Sequence, residues 1–250
     1  MRFSCGAGEA TVNLSTGNAI FQKGDIAVGS GGYTVAVSHV YTTAIGELAD
    51  EINKNRSETD EKFSLETCAG KNWKLGIQQY VIENPQGTYR YMDANGYLHE
   101  FASIATGKYY ATSGAGLTLT VGGTGSPYIL TGDDGLSRME FDAKGRLVRM
   151  AVKTGVNADG TDRESVKILS YDSGNEKLTE FYDLDDLDSA GRYRKIAFSY
   201  SESGLLRSAV AYRKKAASSA QGGSSGIAAQ AGSGSAGEGI AAQNAASDYE

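Results

Sequence analysis

The 250-residue chain contains only 2 prolines, 2 cysteines, 2 histidines and 1 tryptophan. The cysteines, Cys5 and Cys68, are too few for a disulfide framework and lack the paired spacing of a zinc site. They could form one disulfide or remain two free thiols, so they leave the redox compartment open. The sequence has no phosphate-binding loop, no dinucleotide fingerprint and no CxxC motif, so we expect no cofactor-binding residue.

The chain also lacks a surplus of basic residues and a long hydrophobic run. Its formal net charge is -6, which argues against nucleic-acid binding, because that function needs a basic face to neutralise phosphates. No apolar run approaches the roughly 20 residues of a transmembrane helix. The first residues, MRFSCGAGEA, contain no apolar stretch of the kind found in signal peptides. We therefore expect no membrane span and see no secretion signal in this sequence.

Glycine and tyrosine are abundant instead, with 33 and 15 residues. Glycine supplies the positive φ angles of hairpin turns, and tyrosine suits a half-buried pleated surface. From Trp73 to Tyr212, short strand-like segments and Gly, Asn or Asp turns recur roughly every 8 to 12 residues, without helical periods between them. This spacing predicts an all-β fold of antiparallel hairpins that form an extended or spiralling sheet, and it argues against βαβ units.

The chain divides into five predicted segments. They are a flexible N-terminal stretch (1–8), opening hairpins (9–41), a charged insertion (42–66), hairpin repeats (67–215) and a Gly/Ala/Ser-rich tail (216–250). The insertion has no period-2 alternation, so we expect it to be exposed, with a short helix around Leu48 to Asn53. The tail has almost no residue that could fill a core, so we expect it to be disordered.

Four segments share one frame, in which an aromatic or apolar strand enters a polar turn with a glycine and an apolar residue follows. They are 91–98 (YMDANGYL), 141–147 (FDAKGRL), 171–178 (YDSGNEKL) and 200–206 (YSESGLL). We expect Asp or Ser to cap the turn, glycine to take the left-handed position, and the flanking aromatic residue and leucine to pair across the strands. Structural turns are therefore predicted at Gly17, Gly96, Gly145, Gly174 and Gly204.

This frame resembles the YD repeat of RHS-type proteins. The stretch VNLSTGN at 12–18 is similar to the opening motif that precedes the repeats in that family, and SHVY at 38–41 resembles a strand that ends in S-x-x-Y. Two further stretches, 72–80 with NWKL and QQY, and the D-x-x-G-x-x-H-x-F segment from Asp93 to Phe101, also resemble strands of the family. The resemblance extends over residues 8–213.

The resemblance implies a non-catalytic β-scaffold, a segment of an RHS-type surface or toxin-delivery shell. It also implies that the protein is secreted or displayed at the cell surface, with the remainder of the same polypeptide or its cargo as partners. Large family members carry more repeats, a closing region and a variable C-terminal effector. The present sequence has none of these beyond its Gly/Ala/Ser-rich tail, so a solitary fragment, a decayed gene or the front section of a shell is expected.

Two other functions stay open, a carbohydrate or cell-wall binding module and, third, a hydrolase. Exposed tyrosines could stack on sugar rings, whereas cross-strand packing is the competing interpretation of the same residues. The candidate ligand face consists of Tyr89, Tyr91, Tyr97 and Tyr109. For a hydrolase, no pair of carboxylates stands out as acid and nucleophile. We therefore predict no catalytic residue.

The two histidines, His39 and His99, lie in predicted strands, where a packed or hydrogen-bonded role is the expectation. A dyad of Ser38 and His39 has poor geometry, because adjacent strand residues point to opposite faces of the sheet. Both histidines are therefore expected to be structural.

Two acidic stretches could bind a cation. The run at 157–164 (NADGTDRE) alternates oxygen ligands around a glycine, as a calcium loop does, with Asn157, Asp159 and Asp162 as candidate ligands. It lacks the full loop length and a placed bidentate glutamate, so a hairpin turn is the competing interpretation. The second stretch is a cluster that could equally be an exposed loop, namely Asp183, Asp185, Asp186 and Asp188.

Overall fold

A computed structural model of the chain describes residues 2–5, 8–14, 17–29, 34–54, 69–84, 87–122, 127–173, 177–187 and 193–212. These residues form seventeen β-strands and one α-helix, and the strands belong to two antiparallel sheets. The predicted all-β class with antiparallel hairpins is confirmed. The predicted tail at 216–250 and the predicted turn at Gly174 lie outside the described residues.

The first sheet contains five strands in sequence order. They are β1 (Arg2–Cys5), β2 (Gly8–Val12), β3 (Ala19–Val28), β4 (Val35–Thr42) and β5 (Trp73–Leu75). Strand β1 pairs with β2 from Arg2 opposite Thr11 to Cys5 opposite Gly8, and an ion pair joins Arg2 to Glu9. Within the N-terminal stretch 1–8, for which the sequence predicts flexibility, the backbone of Arg2–Cys5 therefore has a strand partner.

The second sheet contains twelve strands, again in sequence order, so each strand pairs with the one that follows it. They are β6 (Tyr80–Glu83), β7 (Tyr89–Met92), β8 (Leu98–Ala105), β9 (Lys108–Ala111), β10 (Leu117–Val121), β11 (Tyr128–Gly132), β12 (Ser137–Phe141), β13 (Leu147–Val156), β14 (Asp162–Tyr171), β15 (Leu178–Leu187), β16 (Tyr193–Tyr200) and β17 (Leu206–Tyr212). Consecutive pairing of this kind is the signature of a hairpin meander.

The chain forms two compact units. Unit 1 comprises Met1–Gly24 and Val37–Glu164, and unit 2 comprises Asp25–Ala36 and Ser165–Glu250. Unit 2 has its own buried apolar residues on its strands, namely Val28, Val35, Leu169, Leu178, Phe181, Ile196 and Leu206. All the site residues discussed below, except those of one acidic cluster, belong to unit 1.

The charged insertion begins with a helix, α1 (Ala44–Lys54), that is buried along one face. Its apolar residues recur three or four positions apart, which aligns them on one side of a helix. They pack with residues of β6 and β7 in one cluster, namely Ile45, Leu48, Ile52, Tyr80, Ile82 and Met92. On the polar side, Arg90 donates two hydrogen bonds to Glu51, at 2.7 and 2.9 Å. The predicted helix therefore starts earlier than expected, and this part of the insertion is not simply exposed.

One hairpin turn recurs along the second sheet. The N–H of the first turn residue donates to the carbonyl four residues later, and the N–H of the glycine at the fourth position donates to the carbonyl of the first residue. The first residues of these turns are Asn84, Asp93, Asp142, Asn157 and Ser201. The glycines have φ between +74° and +84°, the left-handed region that favours glycine.

The shared frame also fixes which residues face each other across the hairpin. Phe141 pairs with Leu147, Tyr171 with Leu178 and Tyr200 with Leu206, and a register shift precedes each pair. Three hairpins therefore have the same bulge next to the turn, and in each the predicted aromatic residue faces the predicted leucine. The first segment differs: its leucine, Leu98, pairs with Met92, and Tyr91 pairs with His99.

Within unit 1, the first strand of the second sheet is bonded to the turn at Gly145, which lies 64 residues after Val81. The N–H of Val81 donates to the carbonyl of Gly145 at 2.8 Å, and the N–H of Leu147 donates to the carbonyl of Gln79 at 3.0 Å. Tyr80 and Arg146 form an antiparallel bridge between these bonds. The run of pairings from β6 to β13 is thereby closed, around buried side chains that include Tyr89, Phe101, Leu119, Leu130, Phe141 and Leu147.

The closure predicts an unusual sensitivity at Gly145. Its φ is +75°, and a Cβ added there would overlap the carbonyl oxygen of Val81. We expect Gly145→Ala to lower the free energy of unfolding by about 2 to 3 kcal/mol, because the left-handed backbone costs about 1 to 2 kcal/mol and the bond to Val81 about 1 kcal/mol. Equilibrium unfolding of the full chain in urea measures this change.

Gly160 offers the matched control. It lies in the same type of turn with φ +83°, and a Cβ there would meet nothing within 4 Å. Gly160→Ala should therefore cost only the backbone strain of about 1 to 2 kcal/mol. Equal losses at the two glycines would show that the turn at Gly145 does not close the strand run.

Candidate functional site at the Asp93 turn

The turn from Asp93 to Gly96, between β7 and β8, is contacted by two distant parts of unit 1 and by a side chain of β8. The hydroxyl oxygen of Thr42 lies 3.1 Å from the carbonyl oxygen of Gly96. The Nζ of Lys74 donates to the carbonyl of Ala94 at 3.2 Å. The carboxylate of Asp93 lies 3.2 Å from Nε2 of His99. We call the residues from Asp93 to Gly96 the Asp93 turn. The turn and the three side chains that contact it are the candidate functional site.

Asn18, the last residue of the VNLSTGN stretch, supports one side of this turn. Its Oδ1 lies 3.1 Å from the Thr42 hydroxyl and accepts hydrogen bonds from the Thr43 hydroxyl at 2.8 Å and the Ala44 N–H at 3.3 Å. These contacts bring the end of β4 and the start of α1 to the side chain of Asn18, which is buried. A Cβ added at Gly96 would lie 2.9 Å from the side chain of Thr42. Glycine at this position therefore permits the close approach of the turn to β4.

Lys74 supports the other side of the turn and is only 1% exposed. Its Nζ donates to the carbonyls of Gln78 and Ala94, at 3.0 and 3.2 Å. Burial lowers the pKa of Lys74 to about 7, and the negative charge of Asp93 partly opposes this shift. A buried lysine that bonds to backbone carbonyls holds two segments together. The sequence signal for it was a lysine within the apolar stretch WKLGI, which the sequence reasoning did not use.

His99 joins the turn to a neighbouring loop. Its Nδ1 lies 3.0 Å from the hydroxyl of Ser113, and its ring stacks on Tyr91 with the centroids 5.7 Å apart. Oδ1 of Asp93 accepts hydrogen bonds from the N–H groups of Asn95 and Tyr97, both at 2.9 Å, while Oδ2 faces His99. The structure therefore brings together a serine, a histidine and a carboxylate that the sequence reasoning did not connect.

His39 lies apart from this group, on β4. It pairs with Leu75 of β5, and its ring lies edge-on to Trp73 with the centroids 6.4 Å apart. These contacts agree with the packed role that we expect for a histidine in a strand.

The predicted tyrosine face is wrong for two of its four residues. Tyr89 is 6% exposed and Tyr91 is 3% exposed, so neither can present its ring to a sugar. The ring of Tyr89 contacts that of Tyr109 at 4.7 Å, and the hydroxyl of Tyr91 donates to Gln79. Burial raises the pKa of Tyr89 to about 12 and that of Tyr91 further still. Tyr97 and Tyr109 are half-buried.

The predicted calcium ligands already have protein partners. Oδ1 of Asp159 accepts from the N–H and the hydroxyl of Thr161, at 2.9 and 2.6 Å, and these bonds lower the pKa of Asp159. The amide of Asn157 donates to the same hydroxyl, and Asp162 forms an ion pair with Lys153 at 2.6 Å. Within the described ranges, no group of three or more His, Cys, Asp and Glu side chains is placed to hold a metal ion.

The first residue of the second acidic cluster, Asp183, does not lie in an exposed loop. Asp183 lies on β15 in unit 2, is fully buried and pairs with Lys167 at 3.0 Å. Asp188 and the side chains of Asp185 and Asp186 lie outside the described residues.

No family model matches this chain, and no curated protein matches it. Among the described residues, no helix has the length and apolar character needed to cross a membrane.

The buried Lys74 predicts a pH-dependent stability. A lysine in the unfolded chain titrates near about 10.4, whereas burial lowers the pKa of Lys74 to about 7. Between these values the unfolded state binds more protons, so the free energy of unfolding should rise with pH, by about 1 kcal/mol per pH unit. Urea unfolding between pH 7 and 10 should show this rise in the natural chain and its loss in Lys74→Met.

The exposed Lys71 provides the control for this measurement. Lys71→Met removes a lysine three residues away and should leave the pH dependence of the natural chain unchanged. If the difference in the free energy of unfolding between the natural chain and Lys74→Met stays constant from pH 7 to pH 10, burial of the Lys74 charge has no cost.

The partners of Asp159 and Asp162 predict that calcium does not stabilise the fold. A site with a Kd of about 0.05 mM would stabilise the chain by about 2.7 kcal/mol at about 5 mM calcium. That would raise the Tm by several degrees, whereas we expect a shift below about 1 °C. Thermal unfolding with calcium and with a chelator measures the shift. A larger rise that disappears in Asp159→Asn would establish the calcium loop.

Proposed function

We propose that this chain is a β-scaffold and forms a segment of an RHS-type surface or toxin-delivery shell. The observation that carries the proposal is the similarity of the hairpins in the segments that share the YD-like frame. Segments 141–147 and 200–206 have the same turn bonds and the same bulge, segment 91–98 has the same turn bonds, and segment 171–178 has the same bulge. A repeated hairpin whose pairs are buried is suited to building an extended sheet, because each unit covers its neighbour.

The buried cross-strand pairs support a scaffold role. Phe141 and Leu147 are fully buried, and so is Leu178, the partner of Tyr171. Each such pair removes apolar surface from water next to a turn that the same frame specifies. The conspicuous residues of the repeat therefore serve the stability of the sheet.

The stretches that resemble RHS-type proteins support the proposal in the same way. Asn18 of VNLSTGN organises the junction between β4 and α1, and Lys74 of NWKL fixes the Asp93 turn. Both are buried polar side chains bonded to backbone or hydroxyl groups, which is typical of residues that specify a fold. The carbohydrate-binding alternative is weaker, because Tyr89 and Tyr91 are in the core.

Surface labelling of the producing cells tests the proposal. Intact cells are treated with a membrane-impermeant amine-reactive biotin reagent, and the chain is recovered with an antiserum raised against it. We expect biotinylated chain on the cells or free chain in the medium, while a cytoplasmic enzyme stays unlabelled as the lysis control. Chain found only after lysis, from a gene with no repeat array or toxin gene beside it, would overturn the proposal.

A further inference from the structure

The residues Ser113, His99 and Asp93 form a line of hydrogen bonds that the scaffold role does not use. The hydroxyl of Ser113 lies 3.0 Å from Nδ1 of His99, and Nε2 of His99 lies 3.2 Å from Oδ2 of Asp93. A nucleophile, a base and an orienting carboxylate in this order form the triad that enzymes use for covalent acyl transfer. We propose that Ser113 is an activated nucleophile that hydrolyses short-chain carboxylic esters.

The carboxylate and the imidazole are held in place before any substrate arrives. Oδ1 of Asp93 is fixed by the N–H groups of Asn95 and Tyr97, which leaves Oδ2 for His99. The imidazole stacks on Tyr91, its cross-strand partner. With Nε2–H donated to Asp93, the lone pair on Nδ1 is directed at the Ser113 hydroxyl. In chymotrypsin, Nε2 of the histidine faces the serine and Nδ1–H bonds to the aspartate, whereas here Nδ1 faces the serine and Nε2 faces the aspartate. In both arrangements the proton passes from the serine to the imidazole.

Ser113 is held opposite His99 by the strand pairing. Phe101 pairs with Ala111, and Thr112 donates its N–H to the carbonyl of Glu100 at 2.8 Å, so the same register continues to His99 and Ser113. Ser113 is exposed, whereas the side chains of His99 and Asp93 are only 16% and 20% exposed. The hydroxyl is open to substrate, and the base and its carboxylate are shielded.

The reaction divides into two balanced steps. Oγ of Ser113 bonds to the acyl carbon, the C–O bond to the alcohol breaks, and the proton of Ser113 passes through Nδ1 of His99 to the leaving alkoxide. Water then attacks the acyl-serine, gives its proton to Nδ1, and the proton returns to Oγ as the carboxylic acid leaves. Asp93 accepts a hydrogen bond from the imidazole throughout and stabilises its protonated form.

The surroundings of Ser113 favour a small acyl group. The next two residues, Gly114 and Ala115, are exposed and have little side chain to hold a long acyl chain. An unhindered ester such as an acetyl ester therefore fits the position best. This inference does not depend on the scaffold proposal, since a shell segment and any other role are both compatible with it.

Two probes test the inference on the full chain. An alkyl fluorophosphonate, followed by peptide mass spectrometry, should label Ser113, and p-nitrophenyl acetate should be hydrolysed by the natural chain. Ser113→Ala should abolish both signals, and His99→Gln should slow them about 10²-fold or more, the usual contribution of a general base.

Asp93→Asn separates catalysis from folding. The asparagine keeps an oxygen for the bonds from Asn95 and Tyr97 but places an amide N–H toward His99, which favours the wrong imidazole tautomer. We expect an unchanged circular dichroism spectrum and a loss of labelling of about tenfold or more. Ser203→Ala is the control, because Ser203 is an exposed turn serine bonded to another serine, Ser201, at 2.8 Å. It should react like the natural chain.

Three results would overturn the inference. The first is a folded chain in which the fluorophosphonate does not label Ser113. The second is labelling of Ser113 at the same rate in Asp93→Asn and in the natural chain. The third is equal labelling of Ser113 in the native chain and in the chain unfolded by urea, since that would assign the reactivity to an ordinary serine.

Discussion

The contact between the turn at Gly145 and the backbone of β6 is the constraint on which unit 1 depends. Without it, β6 would present unpaired N–H and C=O groups along one side, although the side chains of Tyr80, Val81 and Ile82 are buried. The contact requires a residue without Cβ at Gly145, because any side chain there would overlap Val81. The same glycine also provides the left-handed backbone of the hairpin. One residue therefore serves a local turn and a long-range closure at once.

The local part of the fold could be predicted from the sequence. Turn chemistry acts over four or five residues, so the frame around Asp142 and Gly145 specified the hairpin and the pairing of Phe141 with Leu147. The long-range part could not, because nothing in a hairpin frame indicates which distant strand its turn will contact. Helix α1 is a second long-range contact that could not be predicted. Its apolar residues recur every three or four positions among charged residues, and they pack against β6 and β7.

Only those features of the candidate site that depend on residues close together in the sequence could be predicted. Alternation told us that Tyr89 and Tyr91 share a face, but it does not tell whether that face is covered by other strands, and here it is. Asp93 and His99 lie six residues apart in one recognisable stretch, and each was assigned a structural role. Ser113 joins them only through the register of β8 and β9, which no local pattern contains.

The two oxygens of the capping carboxylate explain how a scaffold turn can also hold a chemical group. In the turn at Asp142, Oδ1 accepts from the backbone and Oδ2 accepts from the guanidinium of Arg146, at 2.8 Å. In the turn at Asp93, Oδ1 likewise accepts hydrogen bonds from the backbone, whereas Oδ2 faces His99. The hairpin needs only the first oxygen. The second is free to orient a different side chain, so a repeated turn can acquire a histidine partner without losing the bonds that stabilise it.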